Sequence, residues 1–346
     1  MPQHPISRPT PAPAVRLRTP AQIVAAVPYL VGFHPSESVV AIGLGSAASR
    51  VCLTMRVDLV PPADAVPLAD TLVTHLEQAG AGGMFVLVFT EGPGDPPNPD
   101  LVQSIGTSAE AAGIEVKDAL WVRAGRWRSY RCRRPECCPA EGTPVDPGEV
   151  SELAAASAWM GDVVHRSRKD LERSLRPVGF LRRAALDQSF DCVSRRLAGE
   201  LSQHGWDAVA ADSRELLRVA VEARAEASVE LSHAEVARLA LGLADVLVRD
   251  HALQWVGTEL DHAAESLWVE LLRKATPPYD AAPATLLAVH AYLRGNGAYA
   301  RIALERALAS DPGYSFAVLL SEGLDRAVPP QALRAALTLS STAAEP

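Results

Sequence analysis

Apolar residues recur at helical spacing through "PAQIVAAVPYLVGF", which follows Thr19, a good N-cap, with Pro20 at the first helical position. Pro28 is expected to end or kink that helix, because it lacks an N–H and crowds the preceding turn. "SVVAIGLG" is a short apolar run rich in β-branched residues and reads as a buried strand. After a turn at "SAASR", "VCLTMRVDLV" alternates well enough to be its hairpin partner. "PLADTLVTHLEQAG" reads as a helix with Gly80 near its stop, and "GGMFVLVFT" as a second buried strand. "EGPGDPPNPD" is a Pro/Gly loop, Pro99 opens another helix, and "IEVKDALWVRAGRWRSY" reads as a strand pair.

Strands and helices that alternate in this way predict an α/β domain with a mixed sheet. Beyond Pro147 the pattern has helical periodicity only, broken by Pro and Gly into about eight to ten helices. The expected organisation is a disordered Pro-rich arm (1–17), an α/β domain carrying a basic, Cys-containing hairpin (18–147), and an all-helical region (148–340). Within the helical part, Tyr292 to Leu320 has a Gly turn, small residues at Ala300 and Ala307, and then Asp311-Pro312. This is similar to a tetratricopeptide unit. No second copy follows, so a single helical hairpin capping a bundle is expected.

Composition narrows the function classes. A chain of 346 residues that is 48% hydrophobic can bury a real core, and its net charge of −8 makes nucleic acid an unlikely partner. No run approaches the roughly 18 apolar residues of a membrane span, and the start lacks a secretory h-region. Five cysteines in a chain of this length do not form a secreted disulfide framework. A cytoplasmic location is therefore expected.

The candidate chemistry is scattered. "GFHPSES" presents His34, Ser36 and Glu37 at the start of a strand, as a structural join or as the edge of a binding site. No GxSxG elbow accompanies Ser36. The hairpin "RAGRWRSYRCRR" gathers Arg123, Arg126, Arg128, Arg131, Arg133 and Arg134, interleaved with Trp121 just before it, Trp127 and Tyr130; Arg126, Arg128 and Arg131 are the candidate ligand-binding residues. Arginine is well suited to bidentate contact with phosphate, although a solvated strand face has the same look. "YRCRRPECCPAEGTP" groups Cys132, Cys137 and Cys138. These are candidate metal ligands, but a structural zinc needs four, and no His lies nearby, so no stoichiometric metal and no cofactor are expected. A disulfide or a redox-sensitive thiol is the other reading, since neighbouring Arg residues lower a thiol pKa. In "SRKDLERSL", Ser167 can cap a helix on which Arg168 and Glu172 pair. Glu259-x-x-His262 stands alone, and a di-iron bundle needs two such motifs. The Walker, HExxH and dinucleotide-binding patterns are missing.

The stretch from Val27 to Leu44, "YRCRRPECCPAEGTPV", "SRKDLERSL" and "TLLAVHAYLRGNGAYARIALERALASDPGYSFAVLLSEGLDRAVPP" occur in order along nearly the whole chain. In these motifs the sequence resembles an actinobacterial domain-of-unknown-function family, number four-one-nine-two. The resemblance implies no activity and no site residues. The residues themselves point first to a binding or regulatory protein with a protein or a small anionic ligand as partner. The alternative is an enzyme acting on a small anionic or phosphorylated ligand in a cleft between the halves, where His34, Ser36, Glu37 and the arginines are expected to converge.

Overall fold

The computed structural model describes residues 16–45, 50–159, 163–227 and 230–342. The expected arm falls largely outside these residues, as does most of the "SAASR" turn. Helix α1 (Pro20–Val31) begins as expected: the Thr19 side chain accepts from the Gln22 N–H. It does not stop at Pro28 but runs on to Val31, where Gly32, at φ 83°, closes it with an N–H bond to the Pro28 carbonyl. Only a residue without a Cβ adopts that left-handed conformation cheaply.

Six strands form one sheet: β1 (Ser38–Gly45), β2 (Val51–Asp58), β3 (Ala81–Phe89), β4 (Glu115–Arg123), β5 (Arg126–Ser129) and β6 (Thr143–Pro144). Their order is β2-β1-β3-β4-β5-β6. β3 and β4 pair in parallel, joined by helix α3 (Pro99–Ala111), and the other pairs are antiparallel. Helix α2 (Ala65–Gln78) connects β2 to β3.

Alternation along the strands sorts the side chains between two cores. Val39 and Ala41 of β1, Met84, Val86 and Val88 of β3, and Ala119 and Trp121 of β4 pack under α2 and α3. Val40, Ile42, Leu87, Phe89, Leu120 and Trp127 face the other way. There they join a core that includes α1 and continues without a break into the helical region.

That region holds α4 (Ser151–Trp159), α5 (Arg168–Ser174), α6 (Phe180–His204), α7 (Trp206–Glu226), α8 (His233–Gly242), α9 (Val246–His251), α10 (Asp261–Lys274), α11 (Ala281–Leu293), α12 (Gly297–Ser310), α13 (Ser315–Asp325) and α14 (Pro330–Thr342). These eleven α-helices among the described residues exceed the eight to ten expected, and α9, six residues long, is too short to show a periodic pattern. Ser167 does cap α5, accepting from the Asp170 N–H.

The tetratricopeptide-like unit is a helical hairpin, α11 and α12 around the Gly295-Asn296 turn, with Ala300, Ala303 and Ala307 fully buried. It does not cap a bundle. Every residue of α11 is buried, so the hairpin sits at the centre of the helical region. A helix that is apolar on all sides is enclosed by its neighbours. Among the described residues, no helix is long and apolar enough to cross a membrane.

Candidate functional site

The join "GFHPSES" brings α1 to the sheet. Phe33 is 1% exposed and forms an isolated parallel bridge with His165, whose N–H bonds the Gly32 carbonyl while the His34 N–H bonds the His165 carbonyl. Glu37 has φ 42°, and its carboxylate accepts from the Thr90 hydroxyl and the Glu91 N–H, each at 2.8 Å. The Ser36 carbonyl accepts from Arg56. Glu37 thereby fixes the loop that leaves β3, at the carboxyl end of the parallel pair. His34 and Ser36 expose their side chains beside it.

The arginines are positioned by the β4–β5 hairpin. Trp121 is the register partner of Arg128, and Arg123 that of Arg126, so all four lie on one face of the hairpin. The guanidinium carbons of Arg123 and Arg128 lie 5.0 and 5.1 Å from the Trp121 ring centroid. Arg123 donates to the Gly92 and Gly94 carbonyls, Arg126 to the Glu141 and Gly142 carbonyls, and Arg128 to the Ala140 carbonyl and the Asp95 carboxylate. These groups surround a recess of about 260 Å³ with Asp95 and Glu141 on its wall. Three guanidinium groups therefore meet one paired carboxylate, Asp95, and five main-chain carbonyls. The Nε–H groups of Arg123 and Arg128 are buried and have no hydrogen-bond partner. The side chains are not the freely solvated face that strand alternation alone allows.

The expected convergence is incomplete. Arg126 and Arg128 line the recess, whereas His34, Ser36 and Glu37 do not. Arg131 sits beyond the end of β5 and bonds the Val116 carbonyl near the start of β4, away from the Arg123–Arg126 turn. The two sets touch only through the β3 loop: Glu37 holds Glu91, whose carboxylate accepts from the Ala124 N–H. Arg123, Trp121 and Asp95 complete the recess although the candidate set omitted them. Arg123 and Trp121 were legible in the sequence as members of the basic hairpin. Asp95 was not, because its loop reaches the hairpin only through the sheet.

The cysteine loop connects β5 to β6. Ser129 anchors its start, its hydroxyl donating to Asp118 and accepting from the Arg131 and Cys132 N–H groups. The Arg134 carbonyl accepts from the N–H groups of Cys137 and Cys138. This turn brings the sulfurs of Cys132, Cys137 and Cys138 within 4.8 Å of one another. Cys132 and Cys137 are in hydrogen-bond contact at 2.9 Å. The hydrogen bond from Cys137, and then one from the Arg134 main chain, hold the Cys132 thiol below its ordinary range. The same contact pushes Cys137 up to about 11. Cys52 lies on β2 and does not join the group.

The helical region has its own polar centre. His290, fully buried, shares a 2.9 Å hydrogen bond through Nδ1 with Asp261, and the Trp268 indole N–H donates to its Nε2. Arg294 bridges Asp261 and Glu265. His262 faces Glu265 at 3.7 Å, and among the described residues only the three cysteines form a group able to hold a metal. A hollow of about 650 Å³ between α6, α8 and α10 is lined by Arg182, Glu230, His233, Glu235 and Lys274. Lys274 there is already paired with Glu230 and Glu270.

The fold and its site thus define an α+β protein with a guanidinium-lined recess and a three-thiol loop, both carried by the β4–β5–β6 side of a mixed sheet. The chain matches the family described as Domain of unknown function (DUF4192) over residues 20–331, and it belongs to that family. No curated protein and no solved structure matches it.

Proposed function

We propose that this is a cytoplasmic binding or regulatory protein that takes a small anionic ligand, such as a phosphorylated metabolite, in the recess of Arg123, Arg126 and Arg128. The observation that carries the reading is the gathering of three guanidinium groups around one recess of about 260 Å³. Arg presents a planar fork of donors that matches phosphate and carboxylate. Binding is favoured over catalysis because Asp95, a carboxylate of the lining, is already paired with Arg128.

Inorganic pyrophosphate and a nucleoside diphosphate are the probes, titrated by calorimetry across a range of salt. Wild type is expected to bind at least one of them, more weakly as salt rises, since exposed charges are screened. Arg126→Gln/Arg128→Gln is expected to lose affinity at least about tenfold, because a hydrogen bond to a charged group contributes about 1.5–3 kcal/mol. Arg131→Gln, outside the recess, should leave binding unchanged. Equal binding by wild type and the double variant, or none by wild type, overturns the reading.

A further inference from the structure

We infer that Cys132, Cys137 and Cys138 form a three-thiolate site for a thiophilic d¹⁰ cation, zinc(II) first, with a fourth position open to solvent or an added ligand. Sequence spacing alone argues against a zinc site, because it shows three cysteines where a closed structural site has four ligands. The fourth protein ligand is still missing: among the described residues no other His, Cys, Asp or Glu joins the group. The fold supplies what spacing cannot show, the meeting of all three sulfurs.

Zinc–sulfur bonds of about 2.3 Å in a tetrahedron place the sulfurs about 3.8 Å apart. The three sulfurs lie within 4.8 Å of one another, and Cys132 and Cys137, at 2.9 Å, separate by about 0.9 Å to reach that arrangement. A disulfide would use only two of the three sulfurs and give the third no role. A cation uses all three.

The loop is held before any ligand arrives. Ser129 ties its start to Asp118, and Arg128 and Arg126 hold its return through the carbonyls of Ala140, Glu141 and Gly142. A site fixed at both ends loses little chain entropy when it binds. Charge also fits. Zinc(II) with three thiolates carries one net negative charge, and Arg131, Arg133 and Arg134 belong to the same loop. Three protein ligands with an open position is the pattern of reactive rather than purely structural zinc. Binding exchanges three thiol protons for the metal, and those protons pass to the buffer.

Elemental analysis of freshly purified, tag-free, full-length chain is the first measurement, and a cobalt(II) titration of the reduced chain is the second. One zinc per chain is expected in wild type and in Cys52→Ser/Cys192→Ser, with none in Cys137→Ser. Cobalt should give a sulfur-to-metal charge-transfer absorption that saturates at one equivalent. The cobalt result on wild type does not depend on whether Cys137→Ser folds. A reduced wild-type chain that retains no metal and gives no charge-transfer absorption overturns the inference. So does metal binding that survives in Cys137→Ser, or a Cys132–Cys137 disulfide in place of metal in chain purified under reductant.

Discussion

At the scale of single residues, buried polar groups show how the helical region is held. Asp261 is 6% exposed. Burial alone would raise its pKa, but hydrogen bonds from His290 and the Gly257 N–H, with the Arg294 charge, hold it well below the usual carboxylate range. A depressed carboxylate contributes stability that is present above its unfolded pKa of about 4 and lost as pH falls through the folded value. Wild type is therefore expected to lose urea resistance below about pH 4. Asp261→Asn should cost about 1–3 kcal/mol at neutral pH, because it removes the charged acceptor of the buried His290, while the exposed Arg294 keeps its pairing with Glu265. The variant should also show a flatter dependence on acid. Urea midpoints for both proteins at neutral and acid pH check this, and parallel acid profiles would count against it. Neither His290 nor Asp261 stood out in the sequence, since their meeting across 29 positions needs two helices to pack side by side.

At the scale of elements, the start of α12 is locked to the end of α1. The Asn296 side chain accepts from the Tyr299 N–H and so caps α12, and a Cβ at Gly32 would lie 2.8 Å from the Asn296 amide nitrogen. Gly32→Ala meets both that contact and a positive φ, so a loss of about 1–3 kcal/mol is expected. Asn296→Gly removes the obstructing side chain, and the double variant should lose less than the sum of the two single changes. Thermal unfolding of the four proteins gives the cycle, and strict additivity would show that the two helix ends are not coupled. The same scale explains which elements were readable. α1, β1 and β3 were recognisable because a cap or a continuous β-branched run marks them. β6 is two residues long, and it forms only because the β4–β5 hairpin offers it an edge.

At the scale of the whole molecule, the sheet and the helices share one core. Val40, Leu87 and Leu120 from the strands belong to the same packed cluster as Leu217, Leu267 and Leu287 from the helices. The change of pattern near Pro147 marks where the strands end, while the packing crosses it. One cooperative transition is therefore expected, with far-ultraviolet circular dichroism and tryptophan fluorescence giving the same urea midpoint. Two separated midpoints would show that the halves unfold independently.

The α+β class, the capped helix ahead of the first strand and the grouping of three cysteines were legible along the chain. They depend on periodicity, caps and turn residues, which act over a few positions. The composition of the sites was not legible. Arg123, Arg126 and Arg128 meet Asp95 because parallel pairing of β3 and β4 brings the loop after β3 beside the hairpin. Arg131 leaves that group because β5 is antiparallel to β4 and carries it toward the start of β4. Three sulfurs become one cluster because Ser129 and the Arg134 carbonyl fold the loop back on itself. Local pattern specifies which way a side chain faces, whereas strand order and loop closure, set by long-range packing, specify what it faces.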